Sequence, residues 1–157
     1  MNTDKDKILL THTGFEAIKK EYQELIEIKR PKIVERLADT RQAGDLAENS
    51  GYIQAREELS FIDGRIGELE EILKKAVLVE NDHQKCYQVG LGCKVTVKNS
   101  SGEHVFWVVG EWEADPVQKK ISYTSPLGKS LLGKKVGEQV ELEVPAGKLV
   151  YTITKIE

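Results

Sequence analysis

With 157 residues, 26 Asp and Glu against 23 Lys and Arg, and 39% hydrophobic residues, the chain has the make-up of a soluble protein of one or two small domains. The net charge of −3 argues against autonomous binding to nucleic acid, which needs a strong basic face to displace counterions, so any RNA contact should be local and partner-assisted. Every apolar run is far short of the ~20 residues of a membrane span, and the N-terminus MNTDKDKILL is too charged for a signal peptide, which points to a cytoplasmic protein.

Two long segments with heptad patterning come first, at about 13–43 and 47–76. Thr13 followed by Glu16 reads as a capping box at the start of the first. Phe15, Ile18, Tyr22 and Leu25 then form one apolar stripe, and Ile33, Val34 and Leu37 resume it beyond Pro31. Proline inside a helix removes a hydrogen bond and clashes with the preceding turn, so a kink is expected near Lys29 and Arg30. In the second segment Leu59, Ile62, Ile66, Leu69, Leu73 and Ala76 follow a three-four repeat. Such stripes joined by a few residues should zip into an antiparallel hairpin with arms of roughly 45 Å. Gly64 and Gly67 suggest a close approach by the other helix or by the second domain.

After Val79 the helical period ends and a linker follows from Glu80 to Gln84. Cys86 and Cys93 are the only cysteines, and with His12, His83 and His104 they match no zinc template, so they read as two small thiols in or near a core strand. Five strand candidates follow: 93–97, 105–109, 120–123, 139–144 and 150–156, the first two joined by the turn signal Asn99-Ser100-Ser101-Gly102. Pro126 to Leu132 reads as a short helix with Gly133 past its end. The expected fold class is α+β, with residues 1–79 a helical hairpin and residues 80–157 a small antiparallel sheet with one short helix.

The string Gly44-Asp45-Leu46-Ala47-Glu48-Asn49 lies in the break between the two helical segments. Asp45 could cap the second helix, with Glu48 at the third position reaching back. The same two carboxylates could instead share a hard divalent cation, since magnesium prefers carboxylate oxygens and is often held by only one or two of them. Two ligands are too few for tight binding, so the tip would be half a site, completed by a partner already holding one metal, as in two-metal phosphodiester hydrolysis. Arg36, Arg41 and Arg56 lie near the tip, where they could meet RNA phosphates or pair with neighbouring acids.

Arg30-Pro31-Lys32-Ile33, the tip string, Tyr52 and Ala55-Arg56 together resemble the Gre family of bacterial transcript cleavage factors. Ile121-Ser122-Tyr123-Thr124-Ser125-Pro126-Leu127-Gly128, Leu131-Leu132-Gly133-Lys134 and Pro145-Ala146-Gly147 extend the likeness over nearly the whole chain. The resemblance implies an antiparallel coiled coil followed by an FKBP-like domain. It implies a monomer that docks on bacterial RNA polymerase at the rim of its secondary channel through Ser125, Pro126 and Leu127. The coiled coil would then enter the channel and bring Asp45 and Glu48 to a second magnesium ion, so that the polymerase hydrolyses the 3′ end of backtracked nascent RNA. The factor itself would not be an enzyme, and Arg41, Asn49 and Arg56 would contact RNA or the active site. Thr124 departs from the Asp or Asn frequent there in the family, which puts one docking contact in question.

Gly128 to Lys135 matches a P-loop up to its last position, but Lys135 stands where Ser or Thr would ligate magnesium, and the interior reads as helix. Two rivals remain: a polymerase inhibitor of the same shape, and a prolyl isomerase or chaperone built on the FKBP-like domain, which would need an aromatic-lined pocket.

Overall fold

The computed structural model describes residues 6–44, 48–80 and 86–157. They divide into two compact units, Phe15–Lys75 and a second made of the segment up to Gly14 together with Ala76–Glu157. The compact units therefore part at 14/15 and 75/76.

The helical unit is built from α1 (His12–Glu24), a π-helical turn (Leu25–Lys29), α2 (Arg30–Gln42) and α3 (Ser50–Lys75). The expected break near Pro31 takes the form of this π turn, closed where the Arg30 N–H donates to the Leu25 carbonyl. Its extra residue has a packing role. Ile18 and Leu25 are seven apart along the buried seam, Leu25 and Ile33 eight, and all three are buried. A continuous α-helix would have turned Ile33 by about 100° off the seam; the inserted residue restores its phase. Val34, expected on the apolar face, is exposed for the same reason.

Facing them, α3 buries Ala55, Ile62, Leu69 and Ile72. Leu59, Ile66 and Leu73, expected on the stripe, are half-buried, and Ile72 was not expected there. Gly64 and Gly67 have open space where a Cβ would stand, so neither serves a close approach by the other helices of the hairpin. Arg30 pairs with Asp63 at 2.7 Å, Arg65 with Glu21 at 2.8 Å, and Arg36 with Glu58, all across the hairpin. Half-exposed pairs of this kind are screened by water and add little stability, but they match only one register of the arms.

The other unit holds two sheets. The expected strands are all found: β3 (Lys94–Asn99), β4 (Gly102–Val109), β5 (Lys120–Ser122), β6 (Gln139–Val144) and β7 (Gly147–Ile156), in the order β5-β4-β3-β7-β6. Four strands pair antiparallel, but β5 runs parallel to β4, a departure from the wholly antiparallel expectation. The segment between β4 and β5 is long enough to return the chain to the starting end, which a parallel neighbour requires. Central β3 alternates as a half-covered strand should, with Val95 and Val97 fully buried. They pack with Val108, Ile153 and with Leu131 of α4 (Pro126–Leu131) in one core.

The second sheet was not foreseen. β1 (Ile8–Leu10) pairs in parallel with β2 (Ala76–Leu78), and Leu10 is fully buried. Just after β1, Thr11 caps α1 by accepting the Gly14 N–H at 3.1 Å. The Glu113 carboxylate accepts from the Thr11 N–H at 2.9 Å, from the Thr11 hydroxyl and from the Gly110 N–H at 3.2 Å. The helix thus starts before Thr13, and the remote Glu113 takes the role expected of Glu16, which is exposed. Gly14 is required here, because a Cβ would lie 2.0 Å from the Glu113 carboxyl carbon.

Candidate functional site

At the hairpin end, α2 closes with the Ala43 N–H donating to the Thr40 carbonyl, and Gly44 follows at φ 134°, a conformation that favours glycine. Asn49 then caps α3. Its Oδ1 accepts the Tyr52 N–H at 3.1 Å while its Nδ2 donates to the Thr40 carbonyl at 2.7 Å. One side chain therefore ends one helix, starts the next and ties the two together.

Glu48 is exposed in a turn immediately before this cap. Asp45 lies outside the described residues. The expectation that Asp45 and Glu48 form the capping box of the second helix does not hold for the helix as it stands: α3 begins at Ser50 and Asn49 occupies the cap. Among the described residues the Glu48 carboxylate makes no helix-capping hydrogen bond. Asn49, expected as an RNA or active-site contact, has both ends of its amide engaged within the fold. The signal was present in the sequence, since asparagine directly before a helical run is among the strongest caps.

Arg41, in the last turn of α2, and Arg56, on α3, are both exposed. Neither makes an ion pair among the described residues, whereas Arg36 is taken by Glu58. Among the described residues, the hairpin end therefore offers an acid at its turn and two exposed guanidinium groups on the flanking helices.

The expected docking residues sit on the β5–α4 turn. The Ser125 hydroxyl donates to the Ser122 carbonyl at 2.6 Å and accepts the Gly128 N–H at 3.0 Å, so it caps α4. Thr124 and Ser122 join through their hydroxyls at 2.7 Å. Leu127 is half-buried against the core, leaving Pro126 exposed at the apex. Gly128 permits the tight turn, since a Cβ there would meet the Ser122 carbonyl oxygen at 2.0 Å. Gly128, Lys129 and Ser130 lie inside α4, as expected of a helix and not of a phosphate-cradling loop.

Two family models match this chain: "Transcription elongation factor, N-terminal" over residues 8–78, and "Transcription elongation factor, GreA/GreB, C-term" over residues 83–157. It is 44% identical over 151 residues to transcription elongation factor GreA of Thermoanaerobacter pseudethanolicus, covering 95% of this chain and 96% of that one. It is 44% identical over 153 residues to GreA of Thermodesulfovibrio yellowstonii, covering 96% and 97%. Among solved structures, the GreA factor homolog Gfh1 of Thermus thermophilus is 30% identical over 96% of this chain and 99% of that one, with a TM-score of 0.45. On these sequence matches the chain belongs to the GreA/GreB family of transcription elongation factors and is of the GreA type.

Proposed function

We propose that the chain is a transcript cleavage factor: docked on RNA polymerase, it passes its helical hairpin into the secondary channel and lends Asp45 and Glu48 to the polymerase's own hydrolysis of backtracked RNA. The observation that carries this reading is the hairpin end, where Asn49 braces both helices while the adjacent Glu48 stays exposed and outside the cap.

The donor set fits magnesium in kind, because carboxylate oxygens are its preferred protein ligands. It does not make a complete site: among the described residues no group of three or more His, Cys, Asp or Glu could hold a metal. Asp45 and Glu48 would hold one side of the ion and the polymerase the other. When bound, magnesium would supply Lewis-acid stabilisation of the charge that builds at the scissile phosphodiester.

The chain's own residues position and recruit. The Asn49 clasp fixes where the Glu48 backbone leaves the helix. Arg41 and Arg56, which make no ion pair among the described residues, would engage RNA phosphates and offset the repulsion between the acids and the transcript. Pro126, held at the apex by the Ser125 and Ser122 hydrogen bonds, would lead the docking contact. Docking through one unit makes entry of the other intramolecular, which can raise apparent affinity by roughly 10²–10⁴-fold. Alone, the chain should cut no RNA.

The test is to incubate a stalled, backtracked elongation complex with the protein and magnesium and to size the RNA. Shortened transcripts that resume elongation support the reading. Unshortened RNA with blocked synthesis would support an inhibitor that only occludes the channel.

A further inference from the structure

The sheet-bearing unit carries a pair of thiols with no part in transcript cleavage. Cys86 and Cys93 are both free, and their sulfurs lie 2.9 Å apart. Cys93 is 3% exposed, at the entry to central β3, whereas Cys86 is half-buried. The loop between them is fixed at several points. The Val89 N–H donates to the Lys134 carbonyl at 2.8 Å, the Gly133 N–H to the Val89 carbonyl at 2.8 Å, and the Cys93 N–H to the Gly90 carbonyl at 3.2 Å. The fold thus holds the two sulfurs together on a braced loop.

We propose that Cys86 and Cys93 form a dithiol oxidation site that closes to an intramolecular disulfide when a small-molecule disulfide such as oxidised glutathione is the electron acceptor. The more accessible partner, Cys86, reacts first. The Cys86 thiolate attacks one glutathione sulfur, forms a mixed disulfide and expels one glutathione thiolate, which takes up the proton that Cys86 released. Cys93 then attacks the Cys86 sulfur, its proton passing to the second departing glutathione. Two protein thiols are oxidised to one disulfide, and one oxidised glutathione is reduced to two thiols. Burial, reinforced by the hydrogen bond with Cys86, pushes the Cys93 thiol up to about 11, which makes it a poor first nucleophile. Contact with Cys86 lets it act as the resolving group, since the second step is intramolecular.

The experiment treats the whole native protein with oxidised glutathione, removes the excess and measures intact mass and free thiols. The expected product is a monomer lighter by two hydrogens, with both thiols lost, a Cys86–Cys93 linked peptide after digestion, and full return on treatment with a dithiol reductant. Cys86→Ser should stay at its original mass, and Cys93→Ser should stop at one glutathione adduct on Cys86. Because Cys93→Ser changes a core residue, its near-ultraviolet circular dichroism is compared with the parent, and Cys93→Ala is used if the fold is lost. Unchanged thiols, a stable glutathione adduct on the unsubstituted protein, or disulfide-linked dimers would each overturn the proposal.

Discussion

Asn49 is the residue on which the geometry of the hairpin end most depends. Asn49→Ala removes both the α3 cap and the link to the Thr40 carbonyl, and should lower stability by about 1–2 kcal/mol. Asn49→Asp keeps a capping oxygen but cannot donate to Thr40. Hydrogen exchange at Tyr52 separates the two effects: its amide should exchange faster in Asn49→Ala and stay protected in Asn49→Asp. Equal protection in all three proteins would mean that the cap is not made. Cleavage should fall in both variants, because the clasp that positions Glu48 is lost in each.

Glu113 is the corresponding residue at the start of α1, where its carboxylate gathers three donors from Thr11 and Gly110. Glu113→Ala should destabilise the protein by roughly 1–3 kcal/mol, as expected when donors lose a charged acceptor. The Thr11 and Gly110 amides should lose protection first; a global change without that local signature would contradict the assignment. No sequence window could have shown this contact, since the partners lie 102 residues apart. The Thr13 and Glu16 spacing satisfied the capping rule locally but gave way to a partner that only the fold brings near.

Among elements, the helical hairpin and the five main strands were legible because each carries a local signal, such as threes and fours in α1 and α3, alternation in β3 and a β-branched and aromatic run in β4. The two-residue turn at Ser100-Ser101 was legible too, whereas Pro145-Ala146, likewise closed by a glycine at φ 128°, is a second such turn that the expected strand at 150–156 did not anticipate. The parallel β1–β2 pair was not legible, because three residues are too few to establish a period and their pairing is remote in sequence.

The π turn gives an element-scale prediction. Deleting Ile28 should return α1 and α2 to one continuous α-helix with Ile33 still on the seam. Deleting Glu35 should rotate Leu37 and the end of α2 by about 100°, so the Glu35 deletion should be the less stable by about 2 kcal/mol or more in urea unfolding. Equal midpoints would show that the extra residue does not set the phase. Gly64→Ala and Gly67→Ala face open space and should each stabilise α3 by about 1 kcal/mol. Destabilisation by either would reveal a contact that the open space does not account for.

At the scale of the molecule, the two compact units do not follow chain order: the start of the chain returns to the sheet-bearing unit before the hairpin begins. A fragment beginning at Glu80 therefore lacks β1 and β2, the buried Leu10 and the Thr11 contacts with Glu113. It should melt well below the same unit in the whole protein, by an amount equivalent to roughly 2–5 kcal/mol for Leu10 alone. Coincident melting would show that β1 and β2 add nothing to the sheet unit. The proposed division of labour predicts that a folded sheet unit competes with the whole protein for polymerase without activating cleavage.

In the proposed mechanism the hairpin end contributes acid to a site it shares with the polymerase. Glu48→Gln tests it with least ambiguity, because Glu48 is exposed, stands outside the Asn49 cap and keeps its size on substitution. The measurement is the rate of RNA cleavage in a backtracked elongation complex at saturating factor, comparing the unsubstituted protein with Glu48→Gln. The cleavage rate should fall by about 10²-fold, comparable to removing one preorganised electrostatic group from an active site, with polymerase binding unchanged. Cleavage by Glu48→Gln at the unsubstituted rate would contradict that mechanism.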